Sequence, residues 1–310
     1  MAVDVFTELR PLLFAIAYRM LGSVSDAEDV VQDAYVRYHR AVAEGTEIES
    51  PKAYLSAVTT RLSIDLLRSA RHRRETYVGQ WLPEPLLTDR GAPDPAEQSA
   101  EADSLSMAFL LVLERLGPVE RAVFLLHDVF GYEFTEIAPV VGRSPDACRQ
   151  VAVRARRHVT AQRPRFEASR TRRNELADKF VAALSGGEVD ALVELLAADV
   201  VVTGDSGGMS PSWPRPITGR DNVVRLLLGL AEQMRRAGVV ALERVEVNGQ
   251  PGAVVRDRDG GLVNVFSFDI ADGSVQAVRS VISRDKLRHL GPLADVAALM
   301  QARREAGGRP

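Results

Sequence analysis

Between Glu133 and Arg157 a set of hydrogen-bonding side chains recurs at a spacing suited to reading nucleic acid. Asp146, Arg149, Gln150, Val153, Arg156 and Arg157 fall on one side of a helical wheel at about 100° per residue. Ala147, Cys148, Val151, Ala152, Ala155 and Val159 fall on the other. Arginine and glutamine carry the donors and acceptors that match guanine and adenine edges in the DNA major groove, and an apolar back lets such a helix rest on a core. The elements that would position this face are legible just upstream. Gly142-Arg143-Ser144 reads as a turn, in which Gly142 takes the left-handed conformation that ends one helix. Ser144 caps the next helix, with Pro145 at its first position and Asp146 near its positive end. Pro139 argues mildly against an undistorted first helix. A solvated basic face has the same pattern, so the helix-turn-helix is weighed with what precedes it.

Two other charged sets lie upstream. Asp26, Asp29 and Asp33 line one ridge of a helix, with Arg37, while Ala27, Val30, Val31, Ala34 and Tyr38 form its buried stripe. Helix-start electrostatics accounts for Asp26 and Asp29 but not Asp33, whereas a basic partner surface accounts for all three. Arg61, Arg68, Arg71, Arg73 and Arg74 crowd the end of a third helix that starts at Ser50-Pro51, with Tyr54, Leu55, Val58, Leu62 and Leu66 expected on its inner side. Helix-dipole pairing would explain about half of that cluster. The two opening helices are separated by Gly22-Ser23, and Ser25-Asp26-Ala27-Glu28 reads as a capping box.

Composition narrows the classes. The chain has 310 residues, 46% hydrophobic and 26% charged, which is ordinary for a water-soluble protein of two or three domains. No apolar run approaches the roughly 20 residues of a membrane span, and the start lacks signal-peptide order, so no membrane and a cytoplasmic location are expected. The single cysteine, Cys148, excludes an internal disulfide and reads as a small core residue. His127 has no second histidine or carboxylate pair beside it, so no metal and no cofactor are expected. The net charge of -3 hides its distribution: two arginine clusters flank an acidic stretch.

That stretch, residues 76–103, reads as a proline-bearing linker whose latter part is a solvated spacer. Trp81-Leu82-Pro83-Glu84-Pro85-Leu86-Leu87 is too apolar to stay wet and is expected to dock on another domain. Beyond Arg173, two amphipathic helices split by Gly186-Gly187 precede short alternating strands at 200–203, 239–247, 253–256, 262–269 and 275–283, with a helix at 220–237. Helices followed by an antiparallel sheet indicate an α+β domain.

Taken in order, DAEDVVQDAYVRYHR and PKAYLSAVTTRLSIDLLRSARHRRETY resemble region 2 of bacterial extracytoplasmic-function sigma factors, and residues 104–163 resemble their region 4. The last third resembles a SnoaL-like, NTF2-like cone domain, which a subgroup of that family carries together with a WLPEPL-type linker. The resemblance implies a multidomain chain: two all-α domains, 1–75 (region 2) and 104–165 (region 4), joined by 76–103, then an α+β domain at 172–290 and a tail at 291–310. It implies that Asp26, Asp29, Gln32 and Asp33 grip the β′ clamp helices of core RNA polymerase, and that region 4 meets the β flap. Arg61, Asp65, Arg68, Arg71, Arg73 and Arg74 would lie along the -10 promoter element. Arg143, Ser144, Asp146, Arg149, Gln150, Val153, Arg156 and Arg157 would lie on the -35 element. A flipped base would be held by the loop from Ala43 to Ser50, which carries no aromatic residue, while the arginines track the exposed strand.

The subgroup's two motifs of the last domain correspond to Asp205-Ser206-Gly207-Gly208-Met209 and Asp285-Lys286-Leu287. With Trp81, Leu82, Pro83, Glu84, Pro85 and Leu86, the residues Asp205, Gly207, Gly208, Asp285, Lys286 and Leu287 form the expected interdomain and regulatory set. The implied function is an alternative sigma factor directing core polymerase to particular promoters, restrained by its own C-terminal domain, so that no obligate separate anti-sigma factor is expected. A small-molecule ligand in the cone pocket is compatible with this. Two other classes remain open at this point. One is a ligand-responsive DNA-binding regulator that never enters polymerase. The other is a DNA-tethered cone-fold enzyme using Asp199, Asp205 or Asp269 as general base.

Overall fold

The computed structural model describes residues 2–75, 77, 79–88, 103–162, 169–208, 215–236 and 241–295. The chain divides into two compact units, residues 1–76 with 109–163, and residues 77–108 with 164–310. The tail beyond residue 295, most of the linker at 89–102 and the side chains of Arg71, Arg73 and Arg74 lie outside the described residues.

The first unit is all helix. Its region 2 part comprises α1 (Ala2–Leu21), α2 (Val24–Ala43) and α3 (Pro51–Glu75). Leu13, Ile16, Ala17 and Met20 of α1 meet the buried stripe of α2, which is Val24, Ala27, Val30, Val31, Ala34 and Tyr38. The cap of α2 differs from expectation. Ser23, not Ser25, sits at the N-cap and accepts the Asp26 amide at 3.1 Å, because the chain leaves Gly22 with a positive φ of 65° and enters the helix two residues earlier. Ser50 caps α3 through the Ala53 amide, as read.

On α3 the inner face also differs. Leu62 and Leu66 are only half-buried, whereas Ile64, Leu67, Ser56, Thr59, Thr60 and Ser63 are buried. The helix is covered on two sides, so its serine and threonine hydroxyls need partners away from water. Thr60 and Ser63 donate to the carbonyls four residues back, at 2.8 Å each, and Ser56 pairs with Tyr132.

Helix α4 (Met107–Leu113) leads into α5 (Pro118–Phe124), a π-helical turn (Leu125–Val129), α6 (Phe134–Val141) and α7 (Pro145–Gln162). Pro139 sits inside α6 without breaking it. Gly142 closes α6 with φ 68°, the left-handed conformation that the turn requires, and the Ser144 hydroxyl accepts the Ala147 amide.

The second unit holds α8 (Arg170–Gly186), α9 (Val189–Leu195), β2 (Leu196–Asp205), β3 (Ile217–Thr218) and α10 (Arg220–Arg236). These are followed by β4 (Ala241–Val247), β5 (Gln250–Arg256), β6 (Leu262–Ala271), β7 (Ser274–Val281) and the short α11 (Arg284–Leu287). Its seven-stranded sheet runs β1-β4-β5-β6-β7-β2-β3, where β1 is Leu87–Thr88. Two features correct the all-antiparallel reading. Strands β2 and β7 pair in parallel, and the proline-bearing linker itself supplies the edge strand β1, antiparallel to β4. Alternation along one strand reports which face is wet, but not the direction of its neighbour. Phe180, Phe268, Phe266, Val255 and Leu227 form the core between this sheet and helices α8 to α10.

Candidate nucleic-acid interface and linker clasp

In α7 the packed face is Cys148, Val151, Ala152, Ala155 and Val159. Arg149, Gln150, Val153, Arg157, Arg143, Ser144 and Asp146 are exposed, with Val153 45% exposed despite its apolar side chain. Arg149 pairs with Asp146, and Arg156 is half-buried against Asp128 at 2.5 Å. Burial pushes the Cys148 thiol above its usual range, with Arg143 opposing, so Cys148 is a neutral core side chain. On α2, Asp29, Gln32 and Asp33 are exposed and Asp26 is half-buried. The segment from Ala43 to Ser50, read as the base-capture loop, is mostly exposed.

On α3, Arg61, Asp65 and Arg68 are exposed, Asp65 and Arg68 facing each other at 3.5 Å. Arg61 is occupied in a way that sequence did not suggest. It donates to the carbonyls of Pro139, at 2.8 Å, and Val140, at 3.3 Å, in the last turn of α6, whose carbonyls have no partner within the helix. Beside it, Ser56 Oγ and Tyr132 Oη pair at 2.7 Å in a buried position, and Lys52 lies 5.7 Å from the centre of the Tyr132 ring. Arg121, 3% exposed, donates to the Met20 carbonyl. The region 2 and region 4 parts of this unit are thus locked together by directional bonds. Tyr132→Phe removes one member of a buried pair and leaves the Ser56 hydroxyl alone, a cost of about 1–3 kcal/mol. The expected result is a thermal midpoint for this unit lowered by several degrees; an unchanged midpoint would show that the pair contributes nothing.

In the second unit the linker is gripped at a buried ion pair. Asp205 is fully buried at the end of β2, and each carboxylate oxygen has two donors. Oδ1 accepts from Tyr77 Oη at 2.5 Å and the Gly207 amide at 3.0 Å; Oδ2 accepts from the Leu82 amide at 2.7 Å and Lys286 Nζ at 2.6 Å. Lys286, 7% exposed, also donates to the Leu82 carbonyl at 2.5 Å and lies over the Trp81 ring at 4.4 Å and the Tyr77 ring at 4.9 Å. Both the cation and the anion are therefore satisfied away from water. Burial, and then the Asp205 carboxylate beside it, push the Tyr77 phenol well above its usual range, so it stays a donor.

The glycines allow this arrangement. Gly207 has φ 63°, and a Cβ there would lie 2.6 Å from Ser283 Oγ; Gly208 has φ 81°. Leu82, Pro83, Glu84 and Pro85 are buried, Trp81 and Leu86 half-buried, and the Pro85 carbonyl meets His289 Nε2 at 2.8 Å. Of the second motif, Lys286 makes the hydrogen bond to the linker. Asp285 is exposed and paired with Arg288, and Leu287 is core. A carboxylate at a helix start favours the dipole, and an apolar residue two positions on faces inward.

The carboxylates considered as a general base are not gathered at the cone cavity. Asp205 is spent on the linker, Asp199 is exposed, and Asp269 pairs with Arg279 at 2.6 Å. Alternation along β6 sets Asp269 on the opposite face from Phe266 and Phe268. A cavity of about 560 Å³ is lined by Leu184, Leu227, Leu242, Val255 and Phe266, with the Glu232–Arg235 ion pair at its rim. Among the described residues no group of side chains could hold a metal ion, and no helix is long and apolar enough to cross a membrane.

The chain matches the family models for Sigma-70 region 2 over residues 5–73 and for Sigma-70 region 4 over residues 106–159. It is 40% identical over 293 residues to the ECF RNA polymerase sigma factor SigJ of Mycobacterium tuberculosis, covering 92% of this chain and 93% of that one. It is also 31% identical to the probable ECF sigma factor SigI of the same species, over 90% of this chain and 92% of that one. The crystal structure of M. tuberculosis SigJ superimposes with a TM-score of 0.73 at 37% identity, covering 94% of this chain and all of that one. With one relative matched at 40% identity over 92% of its length, the chain belongs to the extracytoplasmic-function RNA polymerase sigma factors and is an alternative sigma factor that directs transcription, with a fused SnoaL-like domain.

Proposed function

We propose that this sigma factor is held in a promoter-incompetent form by its own C-terminal domain acting through the linker. The observation that carries this reading is the Asp205–Lys286 pair, both members buried and both bonded to linker atoms. A released linker of residues 76–103 could extend to the order of 100 Å, at about 3.3–3.6 Å per residue. The -10 and -35 elements are separated by roughly 25 base pairs, on the order of 80 Å of duplex at about 3.4 Å per pair. A unit in which Arg61 of α3 touches α6 directly does not span that distance, so promoter engagement requires its two halves to part. Parting also returns Arg61 to the -10 strand.

In the open form, α2 offers Asp26, Asp29, Gln32 and Asp33 to the β′ clamp helices and region 4 meets the β flap. The face Arg143 to Arg157 reads the -35 element, and Arg61, Asp65, Arg68, Arg71, Arg73 and Arg74 lie along the -10 element. The chain acts in the cytoplasm with core polymerase. An apolar ligand entering the cavity beside Phe266 would bias docking to the extent that it binds the docked and free forms unequally.

Run-off transcription with core polymerase tests the reading, comparing the full chain with one truncated after Arg163. Both are expected to start RNA at the same promoter, the truncated chain with the higher yield. An equal or lower yield from the truncated chain would remove the restraint, and no promoter-dependent RNA from either would remove the promoter assignment. Arg61→Ala is expected to cut -10-dependent opening about tenfold or more, within the 1–3 kcal/mol that a good DNA contact contributes, and unchanged permanganate reactivity of the -10 thymines would contradict it.

A further inference from the structure

The turn between β4 and β5 contacts the linker at a place no motif marks. Val247 pairs with Gln250 across a two-residue loop, Asn248-Gly249, in which both residues have positive φ, 54° and 69°. This is the tight hairpin turn that asparagine and glycine favour. Asn248 is nevertheless fully buried, which is unusual for a turn tip.

Its hydrogen bonds explain why. The Asn248 amide donates to the Leu86 carbonyl at 2.8 Å, and its Oδ1 accepts the Leu86 amide at 2.9 Å. Its Nδ2 donates to the Leu105 carbonyl, on the far side of the linker, at 3.1 Å. The Gly249 amide donates to Thr88 Oγ1, and Leu87–Thr88 continue along β4 as the edge strand β1. The downstream stem is fixed again at Asp103, whose Oδ1 accepts from Gln250 Nε2 at 3.1 Å and Arg173 Nη1 at 3.3 Å.

We propose that this turn, with the β4 edge, is a second linker-binding site that takes an extended peptide by strand addition, and that it ties the two stems of the linker so that they dock and leave together. Main-chain pairing supplies the hold, and one asparagine reads both stems, in the manner of peptides added to a sheet edge. The Asp205–Lys286 clasp acts on residues 77–82 and the turn with its strand edge on residues 86–88 and 103–105, so undocking has two separable stages. The proposal deepens the regulatory reading but is read on backbone amides alone, so loss of this site and loss of transcriptional restraint appear in different measurements.

The test is hydrogen exchange on the full chain carrying Asn248→Gly, which keeps the positive φ and removes only the side chain. Exchange at residues 86–88 and 103–106 is expected to rise together by tenfold or more, while the Leu82 amide keeps its protection. Unchanged exchange at 86–88 would overturn the site. An equal rise at Leu82 would overturn its separateness, and a rise at one stem alone would overturn the tie. Amides of Phe266 and Phe268 in the central strand report unfolding. If these open, Asp103→Ala is measured instead and read the same way: both stems faster and Leu82 unchanged supports the site, and any other pattern overturns it.

Discussion

Replacing Asp205 by asparagine is expected to release the upstream half of the linker. The carboxylate takes two donors on each oxygen, and an amide presents only one oxygen. Its NH₂ group would face either the Gly207 amide, beside the Tyr77 hydroxyl, or the Lys286 ammonium and Leu82 amide, so that in either orientation it meets a group that can only donate. The Lys286 ammonium would keep the Leu82 carbonyl and the faces of Trp81 and Tyr77 but lose the carboxylate that balances its charge. Removing one partner of a buried pair costs about 3–5 kcal/mol. At about 1.4 kcal/mol per tenfold, docking weakens by about two to three and a half orders of magnitude.

Hydrogen exchange at Leu82 measures the release, and run-off transcription measures its consequence. Full protection at Leu82 in the variant would show that the ion pair does not hold the linker. The double variant Asp205→Asn with Lys286→Met is expected to dock better than the single one, because no charge is left buried without its partner.

The second large effect is expected from Asp29→Arg with Asp33→Arg. Both side chains are exposed on α2, so the fold should change by no more than about 0.5 kcal/mol. If this ridge faces basic residues on core polymerase, two attractions become two repulsions, and like charges set together at an interface cost several kcal/mol. Affinity for core polymerase is expected to fall at least a hundredfold, with a smaller loss at high salt because exposed charges are screened. Titration of labelled sigma factor with core enzyme, beside a thermal melt, checks both statements. Wild-type affinity at an unchanged melting temperature would move the polymerase contact off this ridge.

The helical faces were the most legible features. Ala27, Val30, Val31, Ala34 and Tyr38 on α2, and Cys148, Val151, Ala152, Ala155 and Val159 on α7, are buried as a 3.6-residue period requires, because each helix is covered on one side only. Helix α3 shows where that logic stops. A second helical layer covers its polar flank, so Ser56 and Ser63 are buried while Leu62 is only half-buried. Asp205 could be read as a general base or as part of a motif. Its role depends on Lys286, 81 residues away, and Leu82, 123 residues away. Asn248-Gly249 is an ordinary hairpin signal, yet its linker partner Leu86 is 162 residues distant.

Sequence alone therefore determined the kinds of elements, their wet and dry faces, and through two ordered regions the family of the chain, because these depend on periodicity and local chemistry. Tertiary structure alone decided that the linker adds a strand to the last domain's sheet, that β2 runs parallel to β7, and that Arg61 is engaged by α6. Each of these depends on which unsatisfied backbone or charged groups meet across long separations, and one strand or helix carries no record of its partner.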